Sequence, residues 1–331
     1  MTEFIRKNSA KYGIFYWIAI ALLVLFFLTG CQNNHTDSFQ TPGAKLSAPE
    51  LPQGTNAFGP PNESGKVMVL MYHNIGPEEE EWVRTPANFR KDLQTLYDQG
   101  YRPISLTDYV TGKINTPRGY TPVVLTFDDG NRNNFEYLED GSISSQSAVG
   151  ILLDFHQTHP DFPLEATFFL TGDEPFGQKG RGAEKVAFLL DQGMDVGNHT
   201  KTHPNFKHAD GTELQAEIGG QAQQIQSLIL EKEYQVNTLA LPFGVRPEDS
   251  ALRAFLGSGS ENGIPYENIA VLNVGWMPAL SPYEEDFDPT SIPRIRASET
   301  KVDGVGFYDY LSYFQKHPEQ RFISDGEVVG P

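Results

Sequence analysis

Cysteine is nearly absent from this chain of 331 residues, which has only Cys31. A single thiol cannot close an internal disulfide, so the fold must hold without one. Basic side chains are also scarce: 25 Lys and Arg stand against 43 Asp and Glu, a formal net charge of −18. A surplus of that sign argues against nucleic acid and anionic lipid headgroups as partners, and it is compatible with a neutral glycan. Repeats, heptads and coiled-coil patterns are missing, so nothing points to an oligomer and a monomer is expected. The long uncharged run, Ile14 to Leu28, covers about 15 residues, which is short for a membrane span.

Arg6, Lys7 and Lys11 precede that run, and Leu28-Thr29-Gly30-Cys31 ends it. A basic start, a short apolar core and small residues before a cut describe a signal peptide over residues 1–30. Leu-x-Gly-Cys resembles the bacterial lipobox, which implies that Cys31 is lipidated, becomes the new N-terminus and attaches the protein to the membrane. An uncleaved anchor helix extended through Tyr16 and Phe27 is the alternative. Either way, the remainder is expected outside the cytoplasmic membrane. Residues 31–65 are rich in Asn, Gln, Pro, Ser, Thr and Gly and read as a flexible tether. Residues 66–331 suffice for one large α/β domain.

The chemistry is concentrated in two stretches. Pro122-Val123-Val124-Leu125 reads as a buried strand and runs into Thr126-Phe127-Asp128-Asp129-Gly130. Adjacent carboxylates are costly to bury without partners, and Gly130 lets the chain turn sharply behind them. One carboxylate can then hold a cation while its neighbour faces a substrate. Asp-Asp-Gly alone is also an ordinary turn composition. The second stretch, Asp195 to His203, places His199 and His203 four residues apart, where both imidazoles can reach one metal from a helical turn or a bent loop. Two histidines plus a carboxylate leave coordination positions open, as a catalytic site requires.

Leu125-Thr126-Phe127-Asp128-Asp129-Gly130, Ala166-Thr167-Phe168-Phe169-Leu170 and His199-Thr200-Lys201-Thr202-His203 together resemble the NodB-homology polysaccharide deacetylases, the family-four carbohydrate esterases. The resemblance covers roughly residues 66 to 298. It implies an α/β fold, a distorted (β/α)7-type barrel. It also implies that Asp128 is the general base and that Asp129, His199 and His203 bind a divalent metal, most often zinc. Met71-Tyr72-His73 at the first strand resembles the extracellular poly-N-acetylglucosamine deacetylase branch, which makes His73 the general acid. The family's third motif, Arg-x-Pro-Tyr, corresponds to Ala240-Leu241-Pro242-Phe243, so the arginine that orients the base is missing there. Arg246, Arg294 and Arg296 are candidates to replace it, with Arg294 preferred, and Arg294 is also placed among the substrate-binding residues. Phe243 and Trp276 complete that group, with Trp276 expected against the catalytic histidine as in the fourth motif.

Other stretches carry less chemistry. Glu78 to Glu81 reads as a solvated loop. Residues 131–134 could wall the site. His156 and His159 lack acidic or cysteine partners at ligand spacing and do not make a metal site. A helical pattern over 213–230 contains Gly219-Gly220, which calls for a break or for close packing. The activity this implies is metal-dependent deacetylation of N-acetylglucosamine units in an extracellular or cell-wall polymer, whether peptidoglycan, poly-N-acetylglucosamine or chitin oligomers. An O-acetyl esterase, or a surface lipoprotein that binds glycan without turnover, are the other readings.

Overall fold

The computed structural model describes residues 58–230 and 233–328. The signal run, Cys31 and most of the tether lie outside the described residues. Twelve strands follow in chain order: β1 Met68–Tyr72, β2 Asn74–Ile75, β3 Val83–Arg84, β4 Tyr101–Pro103, β5 Thr121–Phe127, β6 Thr167–Leu170, β7 Asp195–Asn198, β8 Thr238–Ala240, β9 Ser258–Glu261, β10 Ile264–Glu267, β11 Ala270–Leu272 and β12 Ile295–Arg296. The α-helices are α1 Pro86–Asp98, α2 Leu106–Val110, α3 Ala148–Thr158, α4 Gly182–Asp191, α5 Gly211–Ser227, α6 Ala254–Gly257 and α7 Phe307–Lys316. None of the helices among the described residues is long and apolar enough to cross a membrane.

Eight strands form one parallel sheet in the order β11-β8-β7-β6-β5-β1-β12, with β4 pairing the first half of β5. β1 and β5 are buried along their whole length, as parallel strands covered on both faces must be. Their register runs from Met68 opposite Val123 to Tyr72 opposite Phe127. The two ends of the order meet through one segment. Ile292 bridges Leu272 of β11 in parallel, and three residues later Ile295 pairs with Leu70 of β1. The sheet therefore curls on itself, the distorted (β/α) barrel expected for this sequence.

Helix starts follow their caps. Thr85 accepts from the Asn88 amide ahead of α1, with Pro86 in its first turn, and Asp210 accepts from the Thr212 and Glu213 amides ahead of α5. Helix α5 runs unbroken through Gly219-Gly220. Close packing is what Gly219 serves: a Cβ there would lie 2.7 Å from Glu261 Cβ and 2.9 Å from the Tyr266 ring of the β9–β10 hairpin.

Two expectations need correction. Folded structure begins before residue 66, because Asn62 pairs with Ile323 and the Phe58 amide donates to Gly119 O at 3.2 Å. The returning C-terminal segment supplies an edge that polar composition alone could not reveal. Glu78 to Glu81 is not simply solvated. Glu79 accepts from Arg84 and from the Thr85 amide, and Glu81 pairs with Arg296 at 2.9 Å and Lys301 at 3.2 Å.

Candidate active site

The C-terminal ends of the barrel strands bring the candidate residues onto one rim, the face on which parallel barrels carry their chemistry. His73 follows β1, Asp128 and Asp129 follow β5 and His199 follows β7, whereas Arg294 precedes β12 and reaches Asp128 through its long side chain. Alternation along β5 stops at Phe127, and the chain turns through Asp129 (φ 71°) and Gly130 (φ 62°). The two carboxylates therefore point to different partners.

Asp128 is buried, and its amide donates to Tyr72 O at 2.9 Å. Its carboxylate accepts two parallel bonds from Arg294, Nη1 to Oδ1 and Nη2 to Oδ2, each 2.7 Å. Burial works against the charge, but the guanidinium outweighs it and holds the carboxyl well below its usual range. Arg294 is fully buried. Its Nε donates to Asn273 O at 2.9 Å, and Nη1 also reaches Thr126 Oγ1 at 3.2 Å. A guanidinium therefore stands against Asp128 although position 240 is an alanine. The placement of Arg294 among substrate-binding residues is not supported: its donors are spent inside the protein, beyond reach of a ligand. Arg246 is turned elsewhere, toward Asn273 Oδ1 and Thr290 O, and Arg296 toward Glu81.

Asp129 faces the histidine pair. His199 Nε2 lies 3.4 Å and His203 Nε2 3.7 Å from Asp129 Oδ1. These separations are long for hydrogen bonds but close to the ligand–ligand edge of about 3.3 Å around a tetrahedral ion with bonds near 2 Å. One ligand atom from each of the three residues falls within 4.8 Å of the others. The Nδ1–H of His199 donates to Ala240 O at 2.8 Å, so in the neutral ring Nε2 carries the lone pair that a cation would need. His199 and His203 come from a bent loop rather than a helix, with Thr200 at φ 64° and His203 at φ 56°. The donor set suits a divalent ion of borderline softness such as zinc.

His73 Nε2 stands 3.9 Å from Asp128 Oδ2, too far for a direct hydrogen bond. Burial lowers its pKa against the pull of Asp128. The ring packed against it is Trp82, with centroids 4.7 Å apart, and not Trp276 as expected. Behind Trp82 sits the Arg296 guanidinium, 4.8 Å from the ring centroid. Trp276 is 53% exposed, and what it fixes is α7, through Tyr310 Oη donating to its carbonyl at 2.5 Å. Phe243 is 60% exposed and packs edge-on to His203 at 4.7 Å, so it flanks the histidine pair.

Sequence reasoning missed Trp82, which carries no motif and sits in an acidic loop. It named Asn131 to Asn134 as residues that could cap and wall the site, without partners. Asn131 Nδ2 donates to Asp129 Oδ2 at 3.2 Å and Asn134 Nδ2 to His73 O at 2.8 Å, so this segment touches both halves of the site. Their amide-rich run directly after Gly130 was the available signal. His156 and His159 make no metal cluster: His156 Nδ1 bonds Phe162 O, and His159 stacks on Phe155.

Residues 115–256 match the family model described as polysaccharide deacetylase. No curated protein matches the chain. Among solved structures, BA0330 of Bacillus anthracis aligns at 22% identity over 72% of this chain and 67% of its own, with a TM-score of 0.53. BC0361, a polysaccharide deacetylase from Bacillus cereus, aligns at 21% identity over 75% of this chain and 68% of its own, with a TM-score of 0.53. The Streptococcus pyogenes deacetylase PplD, in complex with acetate, aligns at 20% identity over 70% of this chain and 92% of its own, with a TM-score of 0.52. At these identities the likeness is one of fold.

Proposed function

We propose, from the match of residues 115–256 to the polysaccharide deacetylase family model, that this protein removes acetyl groups from N-acetylglucosamine units of an extracellular or cell-wall polysaccharide. The observation that carries the proposal is the pairing on one rim of a buried, arginine-held carboxylate with an Asp-His-His cluster fit for a cation. A divalent ion, most simply zinc, held by Asp129, His199 and His203 would supply Lewis acidity, polarising the acetamide carbonyl and acidifying water.

The chain's own residues do the rest. Arg294 favours the ionised form of Asp128, which would accept a proton from the attacking water at Oδ2, the oxygen that faces His73. Arg294 fixes the plane of that carboxylate by its two-pronged contact, so the base cannot rotate out of line. His73, once protonated, would hand that proton to the departing amine, and Trp82 limits the ring's freedom. Phe243 and Trp276 offer exposed aromatic faces suited to the apolar face of a sugar ring. The products are acetate and a free amine on the glycan.

Binding without turnover drew its support from Ala240, and Arg294 removes that support by supplying the missing guanidinium. Anchoring through a lipid at Cys31, outside the cytoplasmic membrane, completes the reading. The test is acetate release from N-acetylglucosamine oligomers by the purified protein, with chelator, with zinc restored and with Asp128→Asn. Release that needs both metal and Asp128 supports an N-deacetylase. Release from O-acetylated glycans alone would replace it with an esterase, and no release from protein that holds zinc would sink both.

A further inference from the structure

Lys185, on α4, is fully buried beneath the site and takes no part in the chemistry above. Its ammonium donates to two backbone carbonyls, Phe135 O at 2.7 Å and Phe176 O at 3.0 Å. The rings of the same two residues lie 5.5 and 5.6 Å from the nitrogen. An ammonium held by carbonyls and aromatic faces, instead of by a carboxylate, is an expensive way to fill a core. Burial pulls its pKa down to about 8. A methionine of similar length would occupy the space without that penalty, so the charge serves to order the two carbonyls it binds.

Both carbonyls belong to segments that touch the site. From Phe135 the chain runs back through Asn134, whose Nδ2 donates to His73 O at 2.8 Å, and Asn133, whose Nδ2 donates to Asn74 Oδ1 at 3.1 Å. It continues to Asn131, which donates to Asp129 Oδ2 at 3.2 Å. From the other side, the Phe176 amide donates to Gly130 O at 2.8 Å. Phe176 holds φ 60°, a left-handed conformation that a phenylalanine keeps only under external restraint. Gln178 stitches the same two segments together, with its side chain bonded to both the amide and the carbonyl of Tyr137 at 2.9 Å each.

We propose that Lys185 is a positioning residue that holds residues 130–135 and the Phe176 turn together, so that Asp129 and His73 keep their places on the rim. This rests on the reading of Asp129, His199 and His203 as cation ligands. Without that anchor the two segments keep only the Phe176–Gly130 and Gln178–Tyr137 bonds between them, and both cation affinity and turnover decline.

The test compares wild type, Lys185→Met and Lys185→Gln by calorimetric titration with Zn²⁺, urea unfolding and acetate-release kinetics. Lys185→Met is expected to stay folded, to bind Zn²⁺ about tenfold more weakly or worse, and to lose kcat with little change in KM. Lys185→Gln, with one donor arm to offer, is expected to fall between the two, and it decides the matter by the same comparison if the Met variant does not fold. Unchanged Zn²⁺ affinity and kcat in a folded variant would overturn the inference and leave the cation reading standing. So would losses that merely track the folded fraction, since Lys185 would then serve the fold alone. A wild-type protein that binds no divalent ion would instead overturn the cation reading on which the inference rests.

Discussion

Arg294 grips Asp128 through two parallel hydrogen bonds of 2.7 Å, both partners buried, across 166 residues of sequence. A guanidinium and a carboxylate in this geometry are worth little as a pair but much to each other, because either alone would be an uncompensated charge in the interior. Arg294→Met should therefore cost about 3 kcal/mol or more in urea unfolding at pH 7. The cost should have a pH signature. Asp128 has a folded pKa below its unfolded value, so its contribution is present above pH ~4 and fades as pH falls below that. The wild-type advantage over Arg294→Met should shrink in acid, and a difference that stays constant from pH 7 to pH 3 would contradict the assignment.

Trp82 and Trp276 are separable by kinetics. Trp82 packs on His73, so Trp82→Ala should lower kcat of acetate release by about tenfold or more. Trp276 is exposed, so Trp276→Ala should act chiefly on KM. The reverse pattern would restore Trp276 as the histidine's partner.

Gly219 and Gly220 are neighbours in α5 but should respond with opposite signs to alanine. At Gly220 the nearest atom to an added Cβ is Lys201 Cδ at 3.7 Å, an ordinary contact, so Gly220→Ala should stabilise by about 0.5–1 kcal/mol. At Gly219 the Cβ would meet Glu261 and Tyr266 below 3.0 Å, and forcing the hairpin away should cost more than helix propensity returns. Urea midpoints of the two variants are the measurement.

Asp195 supplies a second pH signature, of opposite sense to Asp128. Burial raises its carboxyl to about 6, even though Tyr234 Oη and the Val196 amide donate to it. A folded pKa above the unfolded one means that folding takes up a proton between pH ~4 and 6. Stability from this group is full below that window and lost as pH rises through it. Wild type should therefore gain on Asp195→Asn by up to about 2 kcal/mol as pH falls from 7 to 4, read from urea midpoints at each pH. A constant difference would mean that the carboxyl is not perturbed.

Much of this molecule was legible in the residues themselves. Apolar runs announced β1, β5 and β6, and the strand-to-turn break at Asp128-Asp129-Gly130 followed from the glycine and the doubled carboxylate. The four-residue spacing of His199 and His203 announced a shared ligand, and the structure gathers both around Asp129. Helix α5, Gly211–Ser227, covers most of the 213–230 stretch whose periodicity predicted it. These features are local: each depends on neighbours within one turn or one strand, and such neighbours are fixed by sequence spacing.

Only the tertiary structure decided which distant groups meet. Position 240 lacks the expected arginine, and Arg294 meets Asp128 only because its segment bridges β11 to β1 and aims that side chain into the barrel. Trp82 reached His73 because Glu81, Arg84 and Arg296 tie its loop down through charge pairs that composition presents as a solvated acidic run. Lys185 belongs to no motif, and only its burial shows an ammonium serving two carbonyls. Periodicity reports which face of an element is buried, whereas partner choice depends on how strands close and which charges lose their water together. No window along the chain contains that information.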